Sequence, residues 1–140
     1  MDTQNMYMNA LLSEAAYADF IIAINPDGAY RKEDVKTALR DTDFSASQAD
    51  YFVNHWQVVS HQPDTDSGFS ATLFKSTDPN AAQPYVLGIR GTAGNKDLFV
   101  ADGSDIALDG LAIDQVLDMW NYWGRLTTAK GDSFIGLKLE

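Results

Sequence analysis

YVLGIRGTAG, residues Tyr85–Gly94, joins a continuous apolar run to an arginine and then to a glycine-rich break. An apolar run of this length predicts an interior strand of a sheet that is covered on both faces. The residues after the run are open to two interpretations. Gly91, Thr92 and Gly94 are typical of a strand-terminating turn. They would equally allow main-chain N–H groups to face an oxygen on which negative charge develops during a reaction.

The length of 140 residues fits one domain, and the composition is that of a globular protein. The chain is 45% hydrophobic and 21% charged, which favours a folded core over disorder. Twenty acidic residues against ten basic ones give a formal net charge of −10, so we expect no nucleic acid partner. The chain has no cysteine, which excludes disulfides and thiolate chemistry. It also has no apolar run of the length that a membrane span needs.

Two further strands are predicted before the apolar run, at 56–61 and 69–76. Both are short and rich in β-forming residues, and QPDTDSG between them is a turn by composition, so the pair is predicted to form a β-hairpin. The third strand is predicted at 84–90. No strand is predicted after it, so we expect its edge to be exposed or to be covered by self-association.

Apolar periodicity and capping residues predict the helices. In the first of them Leu12, Ala16 and Phe20 recur every four residues, and Ser45 with Gln48 forms a capping box before the third. The last helix is expected to bury one apolar face. The predicted helices span 9–23, 31–40, Ser45 to about His55, and 111–126, and the buried face of the last holds Val116, Leu117, Trp120 and Trp123. Together, the helices, hairpin and strand–loop–helix order indicate a mixed α/β fold.

Several stretches in order along the chain resemble bacterial secreted lipases of the lipase class 3 and family I.3 kind. Those enzymes have an Ala-Tyr N-terminal helix, a strand that ends in (F/I)RGT, a D-L-x-x-D-like segment and a helix that ends in Asn-Tyr. This chain offers LLSEAAYAD, YVLGIRGT, KDLFVADGSDI and GLAIDQVLDMWNYWGRL, with Ala16-Tyr17, Ile89–Thr92, Asp97-Leu98 and Asn121-Tyr122 at the matching places. The resemblance covers nearly the whole chain.

The resemblance implies a partial α/β-hydrolase fold, with N-terminal helices, a β-hairpin, and then a strand, an oxyanion loop and a helix. It implies that the parent protein hydrolyses carboxylic esters of lipids by serine catalysis, with a lipid or ester as its substrate. Thr92 would be the oxyanion residue, and Arg90 and Gly91 would support its loop. We expect no cofactor or metal in this chain, with calcium left open for the parent. An extracellular location is implied, without a signal peptide, because the N-terminus lacks the basic region of one.

The sequence departs from the family at the nucleophile, because no G-x-S-x-G is present. The nearest strings are Gly68–Thr72, inside a predicted strand, and Gly131–Ile135. No histidine follows Ser133, so nucleophile, acid and base are all expected outside this chain. We therefore expect residues 1–140 to be an inactive N-terminal portion of a longer lipase domain. The alternative is a non-catalytic, hydrolase-like module of a larger exported protein. The stretch Gly131–Phe134 also resembles the G-D-S-L esterases, although a turn is the preferred interpretation.

The remaining candidate residues favour structural roles. We expect His55 and His61, the only histidines, to lie in strands or at the edge of the core. The stretch Asp64–Gly68 resembles the start of a calcium loop but lacks its later ligands, so it is predicted to be a hairpin loop. The acidic series is expected to cap helices rather than to bind a cation, and the aromatic cluster to pack in the core rather than to line an acyl pocket. These two groups are Asp97, Asp102, Asp105 and Asp109, and Trp120, Tyr122 and Trp123.

Overall fold

The computed structural model describes residues 3–90, 99–101 and 113–128. Side chains are described for residues 3–90 and 116–128, and only the backbone is described for residues 99–101 and 113–115. The described residues combine helices with one sheet, which confirms the prediction of a mixed α/β fold. The elements are α1 (Thr3–Ala15), a 3₁₀ helix (Phe20–Ala23), α2 (Lys32–Arg40), α3 (Ala46–His55), β1 (Trp56–Gln62), β2 (Ser70–Ser76), β3 (Tyr85–Arg90), β4 (Phe99–Ala101) and α4 (Ile113–Thr127).

The strands form an antiparallel sheet in the order β1-β2-β3-β4. The hairpin and all three predicted strands are confirmed, with a bulge in β1 between Val58 and Ser60. The strand β4 was not predicted, since the sequence there is dominated by an acidic stretch. It pairs with Leu87–Ile89, so the predicted exposed edge of the third strand is occupied there. Self-association stays a prediction.

Two hydrophobic cores lie on opposite faces of the sheet. One holds Phe74 and Val86 of the sheet against α1, the 3₁₀ helix, α2 and α3. The other packs Leu87 and Ile89 against α4. Neighbouring residues of β3 thus enter different cores, because successive side chains of a strand point to opposite faces. This explains why the run in β3 is continuously apolar, and it confirms that both faces of that strand are covered.

The first predicted helix, 9–23, is wrong in its bounds. The helix α1 ends at Ala15, and the chain resumes as the 3₁₀ helix, whose cap residue Asp19 accepts a hydrogen bond from the Ile21 amide at 3.1 Å. The bend carries Ala16 against β3 at Gly88, where an added Cβ would lie 3.1 Å from the Ala16 Cβ. With the chain bent here, Ala16 contacts β3 and Phe20 is completely buried.

The buried face of α4 is also predicted wrongly in part. Met119 and Tyr122 are buried, whereas Trp120 is 59% exposed. The stripe that faces the sheet continues through Trp123 and Leu126, which are partly buried. Core packing is therefore confirmed for Tyr122 but not for Trp120. None of the helices in the described residues is long and apolar enough to cross a membrane.

The capping box at the start of α3 is confirmed. Ser45 Oγ accepts from the Gln48 amide at 3.2 Å, and the Ser45 amide donates to Gln48 Oε1 at 2.9 Å. We expect Ser45→Ala to lower the free energy of unfolding by about 1 kcal/mol, because an amide of the first turn loses its acceptor. Urea denaturation followed by circular dichroism measures this loss. Ser47→Ala, in the same turn, is the control and should change stability by less than about 0.5 kcal/mol.

Candidate functional site

Arg90 is the only one of the three predicted oxyanion-loop residues that lies in the described part of the chain, since Gly91 and Thr92 fall outside it. It ends β3, and its guanidinium donates to the carboxylate of Asp64 in the β1–β2 loop. On another side, the guanidinium carbon lies 5.9 Å from the centre of the Tyr17 ring. A planar guanidinium suits both a carboxylate and an aromatic face, so these two partners fix its direction.

Two stretches that carry the resemblance therefore meet in space. Ala16 contacts β3 at Gly88, and the next residue, Tyr17, contacts Arg90 two positions further along the strand. Between Arg90 and Tyr17 lie 72 intervening positions of sequence, so no local pattern accounts for the contact. The end of β3 is consequently anchored by the turn that follows α1 as well as by the hairpin loop.

A cavity of about 240 Å³ opens beside Arg90. Most of its polar lining comes from side chains that can carry charge, and Ala18, Ile21 and Pro63 complete its wall. The polar lining residues are Asp19, His61, Asp64, Ser70 and Arg90. A larger cavity of about 440 Å³ lies along β1, near Tyr30 and Val59, and it contains none of the predicted functional residues.

His61 is held in the wall of the smaller cavity with only 2% of its side chain exposed. Its Nδ1 lies 2.8 Å from Thr72 Oγ1, and its Nε2 lies 3.5 Å from Asp19 Oδ1. The Phe20 ring meets the imidazole edge-on, with 5.5 Å between the ring centres. Burial lowers the pKa of His61 below its usual value, and the Asp19 carboxylate opposes this shift. A neutral imidazole is therefore favoured near pH 7.

The hydroxyl–imidazole–carboxylate arrangement in this wall does not supply a nucleophile. Thr72 is completely buried, and Ser70 is buried with its hydroxyl donating to the Gln62 carbonyl at 3.0 Å. Ser70 lines the cavity, but its hydroxyl is engaged in this bond, and the Thr72 hydroxyl is bonded to His61. The prediction that His61 is a strand residue at the edge of the core is confirmed. The same prediction is wrong for His55, which ends α3 and is exposed, with Nδ1 2.7 Å from the Tyr51 carbonyl.

The stretch Asp64–Gly68 is a hairpin loop, as predicted. Gly68 has φ 83°, and its amide donates to the Thr65 carbonyl at 2.8 Å. The hydroxyls of Thr65 and Ser67 both donate to Asp118 of α4, each at 2.5 Å. The loop is thereby tied to α4 while Asp64 holds Arg90. Within residues 3–90 and the described parts of β4 and α4, no group of carboxylates and histidines could hold a metal ion.

Several predicted features lie outside the described residues. They are the acidic series Asp97, Asp102, Asp105 and Asp109 and the stretch Gly131–Ile135. The contacts of Asp19 with His61 and of Asp64 with Arg90 were not predicted from the sequence. The one available signal was local: aspartate just before Phe20 is a residue type that favours helix caps.

Comparison of the chain with models of protein families, with curated proteins and with solved structures found no match. What the site can do chemically depends on the residues that line it. These residues offer an anchored arginine at the end of a strand and a small polar cavity beside it. The two hydroxyls of the site, those of Ser70 and Thr72, are buried and hydrogen-bonded.

Proposed function

We propose that residues 1–140 form the N-terminal part of a serine-dependent carboxylic ester hydrolase of the α/β-hydrolase fold, acting on lipid esters. In this proposal Arg90, Gly91 and Thr92 belong to its oxyanion loop. The observation that carries the proposal is the double anchoring of Arg90 by Asp64 and Tyr17. An oxyanion donor works only if it is held in place before charge develops, and a strand end fixed from two sides is suited to that task.

In the proposed reaction, this chain supplies part of the oxyanion hole and the rest of the parent supplies the catalytic serine and histidine. A serine in a G-x-S-x-G elsewhere in the parent attacks the ester carbonyl, and a histidine accepts its proton. The carbonyl oxygen becomes an oxyanion that accepts hydrogen bonds from the Thr92 amide and from the amide after the serine. His61 takes no part, because it is buried and bonded to Thr72. No cofactor is needed for this step.

The proposed hydrolase fold requires a further strand beside β3 in the sheet. A hydrolase sheet grows by parallel strands joined through helices, and the next such strand would lie beside β3. The three-residue strand β4 now pairs antiparallel at that edge. We therefore expect β4 to give way when the rest of the parent is present. We also propose an extracellular location, as the resemblance implies.

The test begins with the coding sequence after residue 140. The proposal expects a G-x-S-x-G there, followed by aspartate and histidine. The whole protein should hydrolyse p-nitrophenyl esters, and replacement of that serine by alanine should abolish the activity. Purified residues 1–140 should show no hydrolysis above buffer.

Two outcomes would contradict the proposal. An unrelated downstream sequence, with no ester hydrolysis by the whole protein, would favour the non-catalytic module. Hydrolysis by residues 1–140 that Ser133→Ala abolishes would instead place the nucleophile in this chain. The matched control for the second case is Ser67→Ala, which removes a hydroxyl bonded to Asp118 and should leave any such activity unchanged.

A further inference from the structure

One carboxylate oxygen of Asp19 interacts with two different groups. Asp19 Oδ1 accepts from the Ile21 amide at 3.1 Å, where it caps the 3₁₀ helix Phe20–Ala23, and it also lies 3.5 Å from His61 Nε2. The Asp19 side chain is 65% exposed, whereas His61 is almost completely buried. Asp19 therefore connects a surface turn with an ionisable group inside the wall of the cavity.

Among the groups around His61, Asp19 is the carboxylate best placed to pair with a protonated imidazole. Thr72 in β2 and Phe20 in the 3₁₀ helix carry no charge. From β3 and the hairpin loop, Arg90 and Asp64 face His61, but they already pair with each other. The Tyr30 hydroxyl faces the main chain of His61, and it stays neutral because burial raises the pKa of the phenol.

We propose that Asp19 and His61 form a pH-sensitive latch: protonation of His61 draws Asp19 Oδ1 from the Ile21 amide to the imidazolium and loosens the 3₁₀ helix at the cavity. A buried cation needs a counter-charge, and a charge-assisted hydrogen bond is stronger than one between a carboxylate and a neutral amide. Ile21 lines the same cavity, so loosening of its turn changes access to Arg90. The latch does not depend on the proposed hydrolase function.

The direction of the pH dependence follows from the surroundings of His61. Burial, the largest influence, lowers the pKa of its imidazole, Asp19 and Asp64 oppose this, and Arg90 adds to it. The folded protein then binds fewer protons than the unfolded chain between the two pKa values. The contribution of His61 to stability is therefore fully present above about pH 6.5, the pKa of an unperturbed histidine, and is lost as the pH falls from there through the folded pKa.

Nuclear magnetic resonance on purified residues 1–140 tests the latch. The ring signals of His61 and His55 are followed between about pH 8 and pH 5, the range in which histidines titrate. Hydrogen exchange of the Ile21 amide is measured over the same range and corrected for its intrinsic pH dependence. We expect its protection to fall by about fivefold as His61 gains a proton, the factor typical of losing one N-cap.

Asp19→Asn is the sharpest variant, because asparagine is also a good N-cap residue but carries no charge. We expect it to lower the pKa of His61 further and to remove the pH response of the Ile21 amide. His61→Gln should remove that response as well and should flatten the pH dependence of stability. His55→Asn is the matched control, since this exposed histidine lies away from the cavity, and it should leave both measurements unchanged.

Three results would overturn the latch. They are titration of His61 with unchanged protection of the Ile21 amide, a pH response that persists in Asp19→Asn, and absence of any His61 titration down to about pH 5. If His61→Gln fails to fold, the wild-type protein and Asp19→Asn still decide the question. The Asp19 variant changes no buried side chain, so its folding is not at risk for that reason.

Discussion

Phe74→Ala should lower the free energy of unfolding by about 3–5 kcal/mol, the largest stability loss that we expect from one substitution in this chain. Phe74 is completely buried in β2, between β1 and β3. Its ring meets those of Phe52 and Phe20 edge-on, with centre distances of 5.5 Å and 6.1 Å. Truncation therefore removes apolar contacts with both α3 and the 3₁₀ helix. The hydrogen-bonded strands on either side of β2 cannot move in to fill the cavity that is left.

Urea denaturation monitored by circular dichroism measures the effect of Phe74→Ala. Val59→Ala is the control, because Val59 lies at the bulge of β1 and is 44% exposed, and it should change stability by less than about 0.5 kcal/mol. Phe69→Ala probes the second core, where Phe69 is equally buried against Tyr122. A loss below about 1 kcal/mol for Phe74→Ala would mean that the first core does not centre on β2.

Local patterns in the sequence were enough to predict the elements whose stability is decided locally. The capping box depends on Ser45 and Gln48, three positions apart, and the strands follow from alternation or from a continuous apolar run. The end of α1 could not be predicted in this way. Leu12, Ala16 and Phe20 keep helical spacing, but the contact of Ala16 at Gly88 takes precedence over it.

The candidate site was less predictable than the fold, because its contacts join distant parts of the chain. The sequence singled out Arg90 through its place before a glycine-rich break. Its partners, Asp64 and Tyr17, lie in the hairpin loop and in the turn after α1, where nothing in the local pattern indicates a contact with an arginine. His61 was correctly predicted as a strand residue, but its burial beside Asp19 depends on how α1 ends.

The proposed function leads to a second large effect, on catalysis by the whole protein. We expect Thr92→Val to lower kcat by about 10²–10³, equivalent to roughly 2.7–4 kcal/mol, if the Thr92 hydroxyl donates to the oxyanion along with the main-chain amide. KM should change little, because this hydrogen bond strengthens mainly in the transition state. Steady-state kinetics with p-nitrophenyl esters separate the two constants.

Thr92→Ser is the matched variant for this measurement, since it keeps the hydroxyl and should keep most of kcat. A loss of only about tenfold in Thr92→Val would assign the oxyanion contact to the main-chain amide alone. Unchanged kcat in Thr92→Val, together with full activity in Arg90→Ala, would show that this loop takes no part in the reaction. Arg90→Ala is informative because it breaks the contacts with Asp64 and Tyr17, on which the proposed role of the loop rests.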